Sequence, residues 1–260
     1  MRRSIAVRVI DLNADLGEGV GDDDALLQIV TSANIATGAH AGGGPVLHRA
    51  VTAAVASGVA VGAHPSYRDR AGFGRASRLA ALHVDPAARA SLAEDLIDQV
   101  LTVARLAERA GAPLTHVKAH GSLYNEAVGD PLAARVVLDA MHDLVDRLGY
   151  PVAVMSQPHG HLAQLARSAS FALVAEGFVD RGYEPSGRLV ARGLRGALHD
   201  SIAAMVAQAL DLAAGMVRAV DGATIDLVVG SMCVHGDTPD AVGAALAVHA
   251  ALVDAGWQVA

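Results

Sequence analysis

The chain has almost no cysteine and few aromatic rings. Its single cysteine, Cys233, excludes an internal disulfide framework and fits a reducing cytoplasm. Aromatic residues make up 3% of the sequence, too few for the stacking platforms that grip single-stranded nucleic acid. Lysine and arginine are scattered and the formal net charge is −7, so no basic stripe offers itself to a nucleic acid. No apolar run reaches the ~18–20 residues of a membrane span. No GxxxxGK[ST] loop is present, which excludes a P-loop nucleotide site, and the compact zinc patterns are missing as well. The start, Met1-Arg2-Arg3-Ser4, is basic, but a short Val/Ile strand interrupted by Arg8 follows it, unlike a signal peptide. What remains is chemistry on a small molecule, with neither nucleic acid nor membrane as partner.

The chain does have enough apolar residues for a large core: 52% of 260. Short β-branched runs alternate with helix-period segments. Strands are expected near 7–12, 32–37, 59–63, 114–119, 152–156, 172–175 and 225–230. Helices are expected near 23–30, 45–56, 86–110, 131–148, 161–168, 201–220 and 239–255. Pro45, Pro86, Pro131 and Pro239 stand where a first helical turn tolerates proline. Gly58, Gly111 and Gly149 stand just past helix ends, where a left-handed cap needs no Cβ. Repeated β-α units imply a parallel sheet. Seven of them without a linker predict one seven-stranded parallel β/α barrel domain spanning residues 1–260. Two stretches, 67–83 and 182–199, read as long loops.

In such barrels the chemistry sits where the strands end. The first exit carries Asp11, Asn13 and Asp15, which share one side of an extended segment, and then Glu18. Later exits carry His40; His64; His116, Lys118 and His120, followed by Tyr124 and Asn125; Ser156, Gln157 and His159; Glu176, Asp180 and Arg181; and His235 with Asp237. A single histidine at a strand end is more often a hydrogen-bonded structural residue than a ligand. A histidine close to the last strand residue at four of seven exits instead predicts one acid/base and ligand set facing a shared cavity. Two chemistries fit. Asp15, His40 and His64 could hold a divalent metal with open positions for water. Alternatively, carboxylates and histidines act without metal as general base and acid, with Lys118 and Arg181 binding an anion. Spacing alone leaves both open. Glycines at 17, 19, 21 and 42–44 precede helices and are read equally as anion-binding turns or as tight turns. Cys233, near His235, reads as a buried inert thiol rather than a nucleophile.

The runs Leu12–Glu18, Asp24–Leu27, Val30–Ala36, Gly38–Gly42, Gly62–Tyr67, Gly72–Arg75, Val117–Asn125, Glu176–Tyr183 and Val234–Pro239 together resemble the LamB/YcsF family, described as the A subunit of the prokaryotic 5-oxoprolinase. The matches extend from the first strand to the last. The resemblance implies a seven-stranded barrel like that of glycoside hydrolases and polysaccharide deacetylases. It also implies ATP-dependent opening of 5-oxoproline to L-glutamate together with subunits B and C, with ATP as co-substrate. For that reaction the catalytic set would be Asp15, His40, His64, Lys118, His120 and Glu176. The substrate would meet Asp11, Asn13, Glu18, Tyr124, Asn125, Asp180, Arg181 and His235. The chain departs from the family pattern at Thr37 (usually Cys), Gly43 (usually Asp) and Ala119 (usually Pro). Two other readings fit the exits: a stand-alone metal-dependent carbohydrate deacetylase or amidohydrolase, and a non-catalytic subunit that binds a sugar or lactam.

Overall fold

The structure, a computed structural model, describes residues 7–238 and 240–260. The basic start Met1–Ser4 and Pro239, expected to open the last helix, lie outside these residues.

In chain order the elements are β1 (Arg8–Leu16), α1 (Asp23–Leu26), β2 (Ser32–Ala36), α2 (Gly44–Ala56), β3 (Ala60–His64), α3 (Leu79–Val84), α4 (Pro86–Ala110), β4 (Leu114–Lys118), α5 (Gly121–Gly129), α6 (Pro131–Leu148), β5 (Ala153–Ser156), α7 (His161–Ser168), β6 (Leu173–Phe178), α8 (Ile202–Ala213), β7 (Met216–Arg218), β8 (Thr224–Asp226), β9 (Ser231–Val234), α9 (Ala241–Asp254) and β10 (Trp257–Val259). Strands β1 to β6 and β9 pair in parallel, each with its neighbour, and β9 returns to β1. The predicted seven-stranded parallel barrel is therefore closed. Helices pack around it, and their apolar faces meet the outward side chains of the strands in one continuous core.

Local chemistry explains the helix limits. The Asp85 and Asp130 side chains accept from the first-turn amides of α4 and α6, and Pro86 and Pro131 follow them directly. Gly111 (φ 98°) and Gly149 (φ 74°) end the same two helices in the left-handed region.

Several expectations change, among them the end of the stretch 67–83, where α3 (Leu79–Val84) forms instead of loop, and the helix expected over 23–30, which ends at Leu26. β1 runs to Leu16 instead of stopping at residue 12, so Asp11, Asn13 and Asp15 lie inside the sheet and not beyond its end. The helix expected over 201–220 stops at Ala213. Gly215, at φ 82°, turns the chain into the antiparallel pair β7–β8. The seventh barrel strand is accordingly Ser231–Val234 and not 225–230: the run at Thr224–Asp226 pairs with Met216–Arg218 outside the barrel. No sequence pattern announces β10, which extends the sheet along the first residues of β1 (Arg8 opposite Trp257). There the Arg8 guanidinium lies over the Trp257 ring.

Candidate active site

The barrel lumen is polar, and β1 shows why. Ile10, Leu12, Ala14 and Leu16 face the surrounding helices and are buried. Asp11, Asn13 and Asp15 alternate with them and point inward at three heights. At the lowest height Asp11 accepts hydrogen bonds from Thr31 (2.5 Å), Ser32 (2.7 Å) and Ser231. Above it, Asn13 donates to Ser231 Oγ (2.7 Å), and Asn34 donates to Asn13 Oδ1 (2.7 Å) and Asp15 Oδ1 (2.9 Å). His116 crosses the lumen and donates to Asn34 Oδ1 (2.8 Å). Gly62 makes this crossing feasible, because a Cβ there would collide with the His116 ring. Burial pushes the His116 imidazole down to about 4.

At the top of the lumen stands Lys118. Its Nζ donates to Asp15 Oδ1 (2.8 Å) and contacts Cys233 Sγ (3.2 Å). It also lies 2.7 Å from Glu176 Oε1, an ion pair outside hydrogen-bond geometry. Burial alone would lower the ammonium, but Asp15, Cys233 and Glu176 outweigh it and hold the group well above its ordinary value. Burial likewise opposes an ionised Asp15, and the nearby His64, Lys118 and His235 overcome it, leaving the carboxyl well below its usual range. Glu176 is fully enclosed and accepts from the Tyr124 hydroxyl (2.8 Å). Burial drives the Cys233 thiol well above its ordinary value, which fits the expected inert cysteine.

Two histidine arrangements flank this pair. On one side, Glu18, His40, His64 and His120 each bring a ligand-type atom within 4.8 Å of the others. Glu18, not Asp15, is the carboxylate beside His40 (3.1 Å), while Asp15 turns to Lys118. On the other side, His235 Nδ1 donates to Asp180 (2.8 Å), Thr238 donates to the same carboxylate (2.7 Å), and His235 Nε2 points toward Asp15 Oδ2 at 4.0 Å. Burial would raise the Asp180 carboxyl, but His235 and these hydrogen bonds bring it down to about 2. The stacked Phe178 ring steadies His235 from behind.

A cavity of about 620 Å³ opens over these groups. Asp15, Glu18, His64, Lys118, His120 and His235 line its floor, and Tyr124, Asn125 and Arg181 reach it too. The structure leaves other expected residues outside. Asp11 and Asn13 belong to the network below, His40 stands behind Glu18, and Glu176 and Asp180 back Lys118 and His235. The Arg181 bonds run to the carbonyls of Val190 (2.7 Å) and Ala197 (3.1 Å), so the side chain braces the loop over the cavity. Three cations of the cavity wall, Arg75, Arg188 and Arg192, are absent from the residues that the strand exits single out. Two of them share Asp237, Arg75 at 2.9 Å and Arg192 at 3.6 Å. All three come from the two stretches that read as loops, and that is the signal the sequence holds for them.

A profile of the LamB/YcsF family matches residues 10–260. The chain belongs to this family. Among its relatives, a protein from Nocardia farcinica named as the A subunit of 5-oxoprolinase is 43% identical over 96% of this chain and 98% of its own length. A protein of the same name from Streptomyces griseus is 44% identical with the same coverage. Among solved structures, a lactam utilization protein from Thermus thermophilus superposes with a TM-score of 0.84 at 34% identity, covering 96% of this chain and 98% of that one. Of the departures at Thr37, Gly43 and Ala119, Ala119 lines the cavity between Lys118 and His120, while the other two lie away from its floor. Thr37 donates to Gln99 (2.6 Å) behind β2, and a Cβ on Gly43 would face Gly38 and the Arg70 guanidinium.

Proposed function

We propose that this chain is the A subunit of a 5-oxoprolinase, which opens the cyclic amide of 5-oxoproline by hydrolysis to give L-glutamate. The names carried by the Nocardia, Streptomyces and Thermus relatives support the substrate class. The observation that carries the reading is the floor of the cavity. A buried lysine is clamped between two carboxylates, and one of them, Asp15, faces a histidine that a third carboxylate, Asp180, orients.

The chemistry follows from that floor. A five-membered lactam carbonyl is a poor electrophile. Phosphorylation of its oxygen by ATP makes the carbon open to water; the relatives' names support a multi-subunit enzyme, and we assign the ATP-using step to partner subunits B and C in the cytoplasm. His235 donates from Nδ1 to Asp180, which leaves Nε2 as the basic nitrogen. That nitrogen, beside the ionised Asp15, takes a proton from the attacking water. Water adds to the carbonyl carbon, protonated His235 returns that proton to the ring nitrogen as the C–N bond breaks, and a second water hydrolyses the resulting acyl phosphate to the carboxylate and phosphate. Lys118 fixes Asp15 and supplies positive charge under the developing oxyanion. Arg75, Arg188 and Arg192 face the substrate carboxylate and the phosphoryl group.

The test is ATP-dependent release of glutamate from 5-oxoproline by the chain alone and with its partner subunits. Release requiring all three, and abolished by Asp15→Asn or His235→Asn, is the expected result. Full turnover by partner subunits without this chain sinks the reading.

A further inference from the structure

Two of the clustered histidines have their protons assigned by groups that only accept. His64 Nδ1 lies 2.8 Å from the Lys118 carbonyl and must donate to it. His120 Nε2 lies 2.9 Å from the Phe73 carbonyl and must donate to it as well. Gly74 lets that carbonyl come close, since a Cβ at 74 would fall 2.9 Å from the His120 ring. In neutral rings the remaining nitrogens, His64 Nε2 and His120 Nδ1, therefore carry lone pairs, and they face each other at 2.9 Å. Two lone pairs at that distance repel unless something positive lies between them. Glu18 Oε1 stands 3.4 Å from His120 Nδ1, and Asp15 Oδ2 stands 3.3 Å from His64 Nε2. All four residues open onto the cavity.

Ring orientation separates ligands from supports. His64 and His120 cross at 84°, so in-plane lone pairs on the two rings converge. His40 stacks on His120 only 4° from parallel, with centroids 3.7 Å apart, so its lone pair does not meet the others. The Glu18 carboxylate accepts from His40 Nε2 (3.1 Å), and the Ser66 hydroxyl lies 2.9 Å from His40 Nδ1. That is the arrangement in which a neighbour orients a ligating carboxylate.

We propose that His64 Nε2, His120 Nδ1 and Glu18 Oε1 bind a late first-row divalent cation such as Zn²⁺, with Asp15 beside its open positions and His40 as the positioning residue for Glu18. A cation about 2.0–2.1 Å from both nitrogens sees them at roughly a right angle, given their 2.9 Å separation. Two imidazoles and one carboxylate with free positions suit such ions. The site stands independently of the lactam reading, because binding is measured without turnover.

The experiment uses the full chain, stripped with chelator and dialysed. Titration calorimetry with Zn²⁺ and elemental analysis are expected to give one equivalent, and Co²⁺ to give a visible ligand-field band that Zn²⁺ displaces. Glu18→Gln and His120→Ala are expected to weaken binding more than about 100-fold, and His40→Asn by about 10–100-fold. Lys118→Met and Asp180→Asn leave the ion bound while abolishing lactam opening, which separates the two readings. Circular dichroism checks that each variant folds. Should the ligand variants not fold, the wild-type Co²⁺ band decides. A wild-type chain that takes up no stoichiometric ion and shows no band overturns the proposal, since the pair then shares only a proton. Wild-type affinity in folded Glu18→Gln and His120→Ala overturns it equally.

Discussion

The lower and upper halves of the barrel lumen are built from the same residue types and behave in opposite ways. Below, Asp11, Asn13, Ser32, Asn34, His116 and Ser231 satisfy one another through hydrogen bonds and lie outside the cavity lining. Above, Asp15 and Lys118 hold full charges in burial beside Glu176, and Asp15 opens onto the cavity through an oxygen that faces histidines. Asp11 and Asp15 are four residues apart on one strand and on one face. Height in the barrel, not residue type, separates a carboxylate that holds the fold from one placed for chemistry.

Paired substitutions put that contrast to its strongest test. Asp15→Asn is expected to cut turnover of the assembled enzyme by about 10²–10⁴-fold, the range for a lost acid/base group. Lys118→Met is expected to cost about 3–5 kcal/mol of stability besides turnover, because it leaves Asp15 and Glu176 buried without their cation. Asp11→Asn is expected to do the reverse of Asp15→Asn: about 1–3 kcal/mol lost in denaturant unfolding, as a satisfied acceptor is disturbed, with turnover per folded molecule unchanged. Equal loss of turnover in Asp11→Asn and Asp15→Asn would erase the distinction.

Much of the fold was legible in the sequence, because proline, glycine and aspartate mark helix ends through local rules that tertiary contacts do not overrule. Residues 225–230 misled for a physical reason. An apolar run of that length suits a barrel strand as well as a hairpin strand, and only Gly215 and the pairing with Met216–Arg218 decide between them. The site was legible as a set but not by role. Alternation placed Asp11, Asn13 and Asp15 on one side, yet depth along the strand depends on register with β2 and β9, which is a long-range property. Nothing in the sequence sets Glu18 apart from the substrate contacts; its place beside three histidines comes from loops separated by 22 or more residues.

Acid titration separates the halves again. His116 has its folded value pushed down to about 4 from an ordinary 6.5, so the unfolded chain binds the proton first. Its contribution is present above pH 6.5 and is lost as pH falls toward 4, on the order of 3 kcal/mol. Asp180 is depressed to about 2 from 3.8, so its contribution is present above pH 3.8 and lost between there and about 2, on the order of 2 kcal/mol. Unfolding free energies measured from pH 7 to 2 are expected to fall in both windows. His116→Gln flattens the first window and Asp180→Asn the second. An unaltered slope between pH 6.5 and 4 in His116→Gln would remove His116 from the network.

Two glycines probe how much of the lower half is packing. Gly62→Ala puts a methyl onto the His116 ring, which must give way within a filled lumen, at about 1–3 kcal/mol. Gly43→Asp places a carboxylate in the turn beside His40. Gly43 holds φ 90° and ψ 165°, a region essentially reserved for glycine, so the substitution carries strain of about 1–3 kcal/mol. The new carboxylate would lie by Arg70, which already donates to the Gly38 (2.8 Å) and Gly42 (3.0 Å) carbonyls, and that pairing offsets part of the strain. The expected net loss is therefore about 1 kcal/mol, read from the unfolding midpoint, with turnover unchanged. A gain in turnover would instead mean that this loop reaches the cavity floor through His40, and the boundary between the supporting and the reacting residues would have to move outward to include it.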